Sequence, residues 1–122
     1  MSEEVKQVLV VDDDPDMRDV LQTALDSFGY VTLVADDGDV ALELYRTHKP
    51  GLIVTDIYMP RFDGIRLLRE IKNTTPEAKV ILITGYSYLD AEDSDLDVNP
   101  DALLRKPFAL RELMSVIDSV MS

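Results

Sequence analysis

Val8-Leu9-Val10-Val11-Asp12-Asp13-Asp14-Pro15 is the stretch that decides how this chain folds. Four apolar residues, three of them β-branched valines, read as a short strand buried on both faces. The run ends in carboxylates and then meets Asp14-Pro15, an N-cap acceptor followed by proline at the first turn, which starts a helix. Met17, Val20, Leu21, Ala24, Leu25 and Phe28 follow at helical spacing, and Gly29 is a natural stop. The unit is a strand, an acidic turn and a helix.

The same unit recurs along the chain. Residues 30–35 read as a second strand, and Asp36-Asp37-Gly38 turns into a helix carrying Val40, Ala41, Leu44 and Tyr45 that ends near Lys49-Pro50. Leu52-Ile53-Val54-Thr55 is a third strand, closed by Asp56. A loop through Met59-Pro60 leads to a helix with Ile65, Leu67, Leu68 and Ile71, stopped at Thr75-Pro76. Val80-Ile81-Leu82-Ile83 runs to Thr84, and Ala102-Leu103-Leu104 runs towards Lys106. Leu110, Leu113, Met114, Ile117, Val120 and Met121 mark the last helix. Successive βα units of this kind predict an α/β fold: a five-stranded parallel sheet with right-handed crossovers and helices on both faces.

Residues 86–101 break the rhythm. They should hold the helix after the fourth strand, yet they carry Asp90, Glu92, Asp93, Asp95, Asp97 and Asp101 with no basic residue. Aspartate is a poor helix former and unfavourable near a helix C-terminus, and Pro100 forbids extension. The expectation is one or two turns from about Ser87, then irregular and mobile backbone. Asp93, Asp95 and Asp97 alternate like the opening of a calcium loop, but Val98 takes its glycine position and Leu104 its closing glutamate position. Calcium is therefore rejected.

A chain of 122 residues reads as one domain, 1–122, that buries roughly two-thirds of its unfolded surface. No apolar run approaches the ~20 residues of a membrane span, and Met1-Ser2-Glu3-Glu4 has no signal-peptide character. The absence of cysteine removes disulfides and thiolate metal sites and suits a reducing cytoplasm. A formal charge of −12 argues against nucleic acid, and no GxGxxG or P-loop pattern suggests a nucleotide. The chain stops with its last helix, so the expectation is that it carries no output domain and acts through a partner protein, or is one domain of a longer regulator.

Ligands of open α/β sheets bind where the carboxyl ends of the strands converge. Asp12, Asp13, Asp56, Thr84 and Lys106 all fall at such ends. Alone, each has an ordinary explanation: helix capping, a β-branched strand residue, a surface lysine. Together, three carboxylates on one edge would repel one another without a cation between them, and an all-oxygen set selects a hard ion such as Mg²⁺. Asp56 is a candidate nucleophile, since an aspartate can form an acyl phosphate. Phosphoryl transfer needs alignment and stabilised charge on the equatorial oxygens, which Mg²⁺, Lys106 and Thr84 can share.

On Val10-Val11-Asp12-Asp13-Asp14-Pro15, Val54-Thr55-Asp56-Ile57-Tyr58-Met59-Pro60, Asp63-Gly64, Ile83-Thr84-Gly85 and Arg105-Lys106-Pro107-Phe108, the chain resembles the receiver domains of bacterial two-component response regulators. The resemblance covers essentially its whole length. It implies a flavodoxin-like (βα)5 fold with strand order 2-1-3-4-5. It implies that Asp56 accepts a phosphoryl group from a phosphohistidine on a sensor histidine kinase or phosphotransfer protein. It implies Mg²⁺ held by Asp13, Asp56 and the Tyr58 carbonyl, with Asp12 acting through water, and Thr84 and Lys106 on the phosphoryl oxygens. A cis Lys106-Pro107 peptide is implied too, with Met17, Pro107 and Phe108 near a partner-docking surface. Such a domain catalyses its own phosphorylation and is not a turnover enzyme.

Three features depart from the family pattern. Leu103 stands where the family carries tyrosine or phenylalanine, which puts the usual signal route in question. The acidic segment takes the place of a common output and dimer surface, so a phosphorylation-dependent dimer is not expected to use it in the usual way. Tyr58 and Tyr86 lie two residues after Asp56 and Thr84, where bulky rings would obstruct water and lengthen the life of an acyl phosphate. The rival readings are a phosphorylation-independent interaction module and an aspartyl phosphatase. The phosphatase is disfavoured because Tyr58 stands where its second acid would be. His48, the only histidine, falls at a helix end far from these residues.

Overall fold

Short runs of apolar residues build the centre of the molecule because each strand is covered on both sides. The computed structural model describes residues 6–59, 62–85 and 98–122. Among them, β1 (Gln7–Val11), β2 (Val31–Ala35), β3 (Leu52–Asp56), β4 (Lys79–Thr84) and β5 (Ala102–Arg105) form one parallel sheet in the order β2-β1-β3-β4-β5. The helices are α1 (Pro15–Ser27), α2 (Gly38–His48), α3 (Gly64–Thr74) and α4 (Leu110–Met121). The expected helix between β4 and β5, with its predicted irregularity, lies outside the described residues.

Strand alternation divides the core in two. Val8, Val10, Leu52, Val54, Ile81, Ile83 and Leu104 point to one face, where Leu21 and Leu25 of α1 and Leu113 and Ile117 of α4 cover them. Leu9, Val11, Ile53, Val80 and Leu82 point to the other, under Ala41, Leu42 and Tyr45 of α2 and Leu67, Leu68 and Ile71 of α3. Val20, Phe28, Val40 and Leu110 share the helical spacing but are 48%, 60%, 41% and 43% exposed. Their helices meet the sheet over a narrower arc than the apolar stripe covers.

Local chemistry fixes the helix starts. The side chains of Asp14, Asp37 and Asp63 accept from the backbone N–H groups of Asp16, Val40 and Arg66 at the N-termini of α1, α2 and α3. Two glycines admit close approach there. A Cβ at Gly64 would collide with the Asp56 carbonyl, and one at Gly38 with the Phe62 ring. Gly29 has φ +94°, a left-handed conformation that ends α1 as its position in the sequence suggests. At the opposite end of the sheet, Lys72 Nζ donates to the Ala78 carbonyl (2.7 Å) and Asp101 Oδ2 (2.9 Å), and that oxygen also accepts from Val80 N (2.8 Å).

Candidate functional site

Register brings the acidic residues together. Val11 pairs with Thr55 and Asp56 with Ile83, so Asp12 and Asp56 end adjacent central strands. One carboxylate oxygen from each of Asp12, Asp13 and Asp56 lies within 4.8 Å of the others. Asp12 and Asp56 are buried and Asp13 is exposed. With Asp14, Tyr58, Met59 and Lys106, Asp13 and Asp56 line an open cleft of about 540 Å³.

Almost every polar atom of Asp12 is committed. Its N–H donates to the Ala35 carbonyl (3.2 Å), its Oδ1 accepts from Asp14 N (2.9 Å), and its carbonyl accepts from Arg18 Nη1 (2.8 Å). Oδ2 is buried with no hydrogen-bond partner among the described residues. Burial pushes the Asp12 carboxyl up to about 6, the Asp14 N–H opposing this, with Asp56 raising it further, Lys106 lowering it and Asp13 raising it. A lone buried carboxylate oxygen facing two other carboxylates is costly unless a cation joins them. The donor set, all oxygen, fits a hard divalent ion.

Asp56 is held at both oxygens. Oδ1 accepts from Tyr58 N (3.2 Å) and Oδ2 from Lys106 Nζ (3.2 Å), while the lysine stands 3.9 Å from Asp12 Oδ2. Lys106 is aimed by the end of the sheet, where its N–H donates to the Thr84 carbonyl (2.8 Å), and its peptide to Pro107 is cis. The Thr84 side chain is buried at the same edge, but its hydroxyl donates to the Gly85 carbonyl (2.8 Å) and not to Asp56. Tyr58 stands at the lip, 70% exposed. Tyr86 lies outside the described residues.

Lys106 also borders a second hollow of about 470 Å³, lined by Met17, Val20, Gly85, Pro107, Phe108 and Leu110. Leu103 is 38% exposed on edge strand β5, and His48 is exposed at the end of α2. Arg18 is the contact that sequence reading missed. Its acceptor is a main-chain carbonyl, and only its place one turn into α1 hints at it.

Residues 8–118 match the family model described as response regulator receiver domain. The chain belongs to the response regulator receiver domain family. Among curated relatives, the response regulator MprA of Mycobacterium sp. (strain KMS) is 36% identical over 109 residues, covering 89% of this chain and 47% of that protein. MprA of Mycobacterium leprae (strain TN) is 34% identical over 115 residues, covering 94% and 50%. The receiver thus spans about half the length of the curated relatives it matches. Among solved structures, the receiver domain of NtrX from Brucella abortus superposes with a TM-score of 0.86 at 34% identity, covering 93% of this chain and 97% of that one. A receiver domain protein from Clostridium thermocellum gives 0.88 at 28% identity, covering 96% and 94%. No helix among the described residues of this receiver is long and apolar enough to cross a membrane.

Proposed function

We propose that this receiver accepts a phosphoryl group on Asp56 in a Mg²⁺-dependent reaction and signals through the change that follows. The donor is a phosphohistidine on a sensor histidine kinase or a phosphotransfer protein. One observation carries the reading: the Asp56 carboxylate sits 3.2 Å from Lys106 Nζ and beside the buried Asp12 Oδ2, which accepts no hydrogen bond. An Asp56 oxygen attacks phosphorus, the phosphorus–nitrogen bond to the donor imidazole breaks, and the imidazole nitrogen takes a proton from water. Lys106 then pairs with a phosphoryl oxygen in place of the carboxylate it now holds, and the Thr84 hydroxyl leaves Gly85 for another. The Tyr58 N–H keeps the carboxylate oriented. Asp13, Asp56 and the Tyr58 carbonyl would hold Mg²⁺, and Asp12 would act on it through water. When bound, the ion would supply charge neutralisation between carboxylate and phosphoryl group.

The reaction modifies the receiver itself, which is not a turnover enzyme, and a cytoplasmic setting suits a cysteine-free chain. The test is intact mass after incubation with a small acyl-phosphate donor, with and without Mg²⁺, beside Asp56→Asn. One Mg²⁺-dependent phosphoryl adduct that is lost in the variant is expected. A folded parent that binds Mg²⁺ yet gains no adduct would overturn the proposal.

A further inference from the structure

We infer that Arg18 is a positioning residue for the divalent cation, holding the β1–α1 turn so that the carboxylates of Asp12 and Asp13 face it together. The inference rests on the Mg²⁺-dependent reading of the site. Three hydrogen bonds close a ring around residue 13. Asp14 N donates to Asp12 Oδ1 (2.9 Å), Arg18 N donates to the Asp14 carbonyl (3.0 Å), and Arg18 Nη1 donates to the Asp12 carbonyl (2.8 Å). The first two tie the turn to α1. The third fixes the plane of the peptide between Asp12 and Asp13, and that plane sets where the Asp13 side chain leaves the backbone.

Among the described residues, no other hydrogen bond holds that peptide. Asp12 N–H bonds across to Ala35 on β2, which turns the Asp12 carbonyl to that side, and it lies beyond the last β1–β2 pair, Val11 with Ala35, so the sheet supplies it no donor. The Asp13 carboxylate has no hydrogen-bond partner among the described residues, so its direction depends on the backbone beneath it. Arg18 is half-buried and borders a hollow lined by Val34, Ala35, Asp36 and Val40 at the end of β2.

The charge of Arg18 separates this role from a simple electrostatic one. A guanidinium beside a cation-binding turn repels the cation. Deleting it would tighten binding if charge alone mattered. Deleting a group that orients metal ligands typically weakens metal affinity by roughly 10- to 100-fold.

The experiment titrates the whole chain with MgCl2 by calorimetry, comparing the parent with Arg18→Met, Arg18→Gln and Arg18→Lys, each shown to be folded by urea unfolding in EDTA. Met and Gln both remove the guanidinium, so one folded variant of the two suffices. The expected result is a Kd raised roughly tenfold for Met or Gln. Lysine, which keeps a charged donor, is expected to recover most of the loss. In phosphorylation assays the half-saturating Mg²⁺ concentration rises with it, while the rate at saturating Mg²⁺ stays close to that of the parent. Unchanged or tighter binding in Met or Gln, or a lysine variant as weak as they are, would overturn the role of Arg18. A parent that binds no Mg²⁺ would instead overturn the reading of the site beneath it.

Discussion

Asp12 shows what a single residue contributes to a site at the expense of stability. Its folded carboxyl titrates near 6, against 3.8 for the free side chain, so the unfolded chain loses the proton first as pH rises. Stability is therefore lost between about pH 4 and pH 6 and stays low above it, by roughly 2–3 kcal/mol from this group alone. Asp12→Asn cannot ionise. In EDTA at pH 7.5 it should resist urea better than the parent by about that amount, with the gap closing near pH 4 and shrinking when Mg²⁺ is added. Equal stability at both pH values would show that the buried oxygen is not strained. Tyr58 offers a kinetic counterpart at the lip of the cleft. The Tyr58→Ala, Tyr86→Ala double variant is expected to lose its phosphoryl group severalfold faster than the parent, and equal lifetimes measured by mass would end the idea that these rings hinder water.

At the scale of elements, the site depends on how closely α3 approaches the end of β3. The Gly64 N–H donates to the Ile57 carbonyl (2.8 Å), and a methyl group at Gly64 has no room against the Asp56 carbonyl. Gly64→Ala must shift backbone on one side or the other, and overpacking of this kind costs about 1–3 kcal/mol. Gly51→Ala is the control, because its nearest neighbour would be Met121 Cε at 3.9 Å, an ordinary contact. Urea midpoints should fall for the first and hardly move for the second. The elements themselves were largely legible in the sequence. Four-residue apolar runs such as Val8 to Val11 have little alternative to a doubly covered strand, and Asp14-Pro15 announces its helix. Val20, Phe28, Val40 and Leu110 misled because periodicity marks a stripe without showing how wide an arc of it touches the sheet. Arg18 was illegible for a different reason: its partner is a carbonyl, and carbonyls leave no trace in side-chain patterns. The strand ends of Asp12, Asp13, Asp56 and Lys106 could be read off, but the engagement of the Thr84 hydroxyl with Gly85 needed coordinates.

For the whole molecule, the sheet separates two apolar cores, and the polar groups of the site gather where the strands end. The clamp of Lys72 on Asp101 at the other end leaves the start of β5 tied to β4, so Lys106 is carried by a strand fixed at its origin. Lys106 is a wall common to two chambers, the acidic cleft and the apolar hollow beside Met17 and Phe108. A side chain cannot lean into one without altering the other. Thermodynamic reciprocity then applies: if charge on Asp56 changes the affinity of an occupant of the hollow by some factor, that occupant changes the equilibrium of charging Asp56 by the same factor. Whatever fills the hollow is, in that sense, also a reader and an author of the state of the cleft.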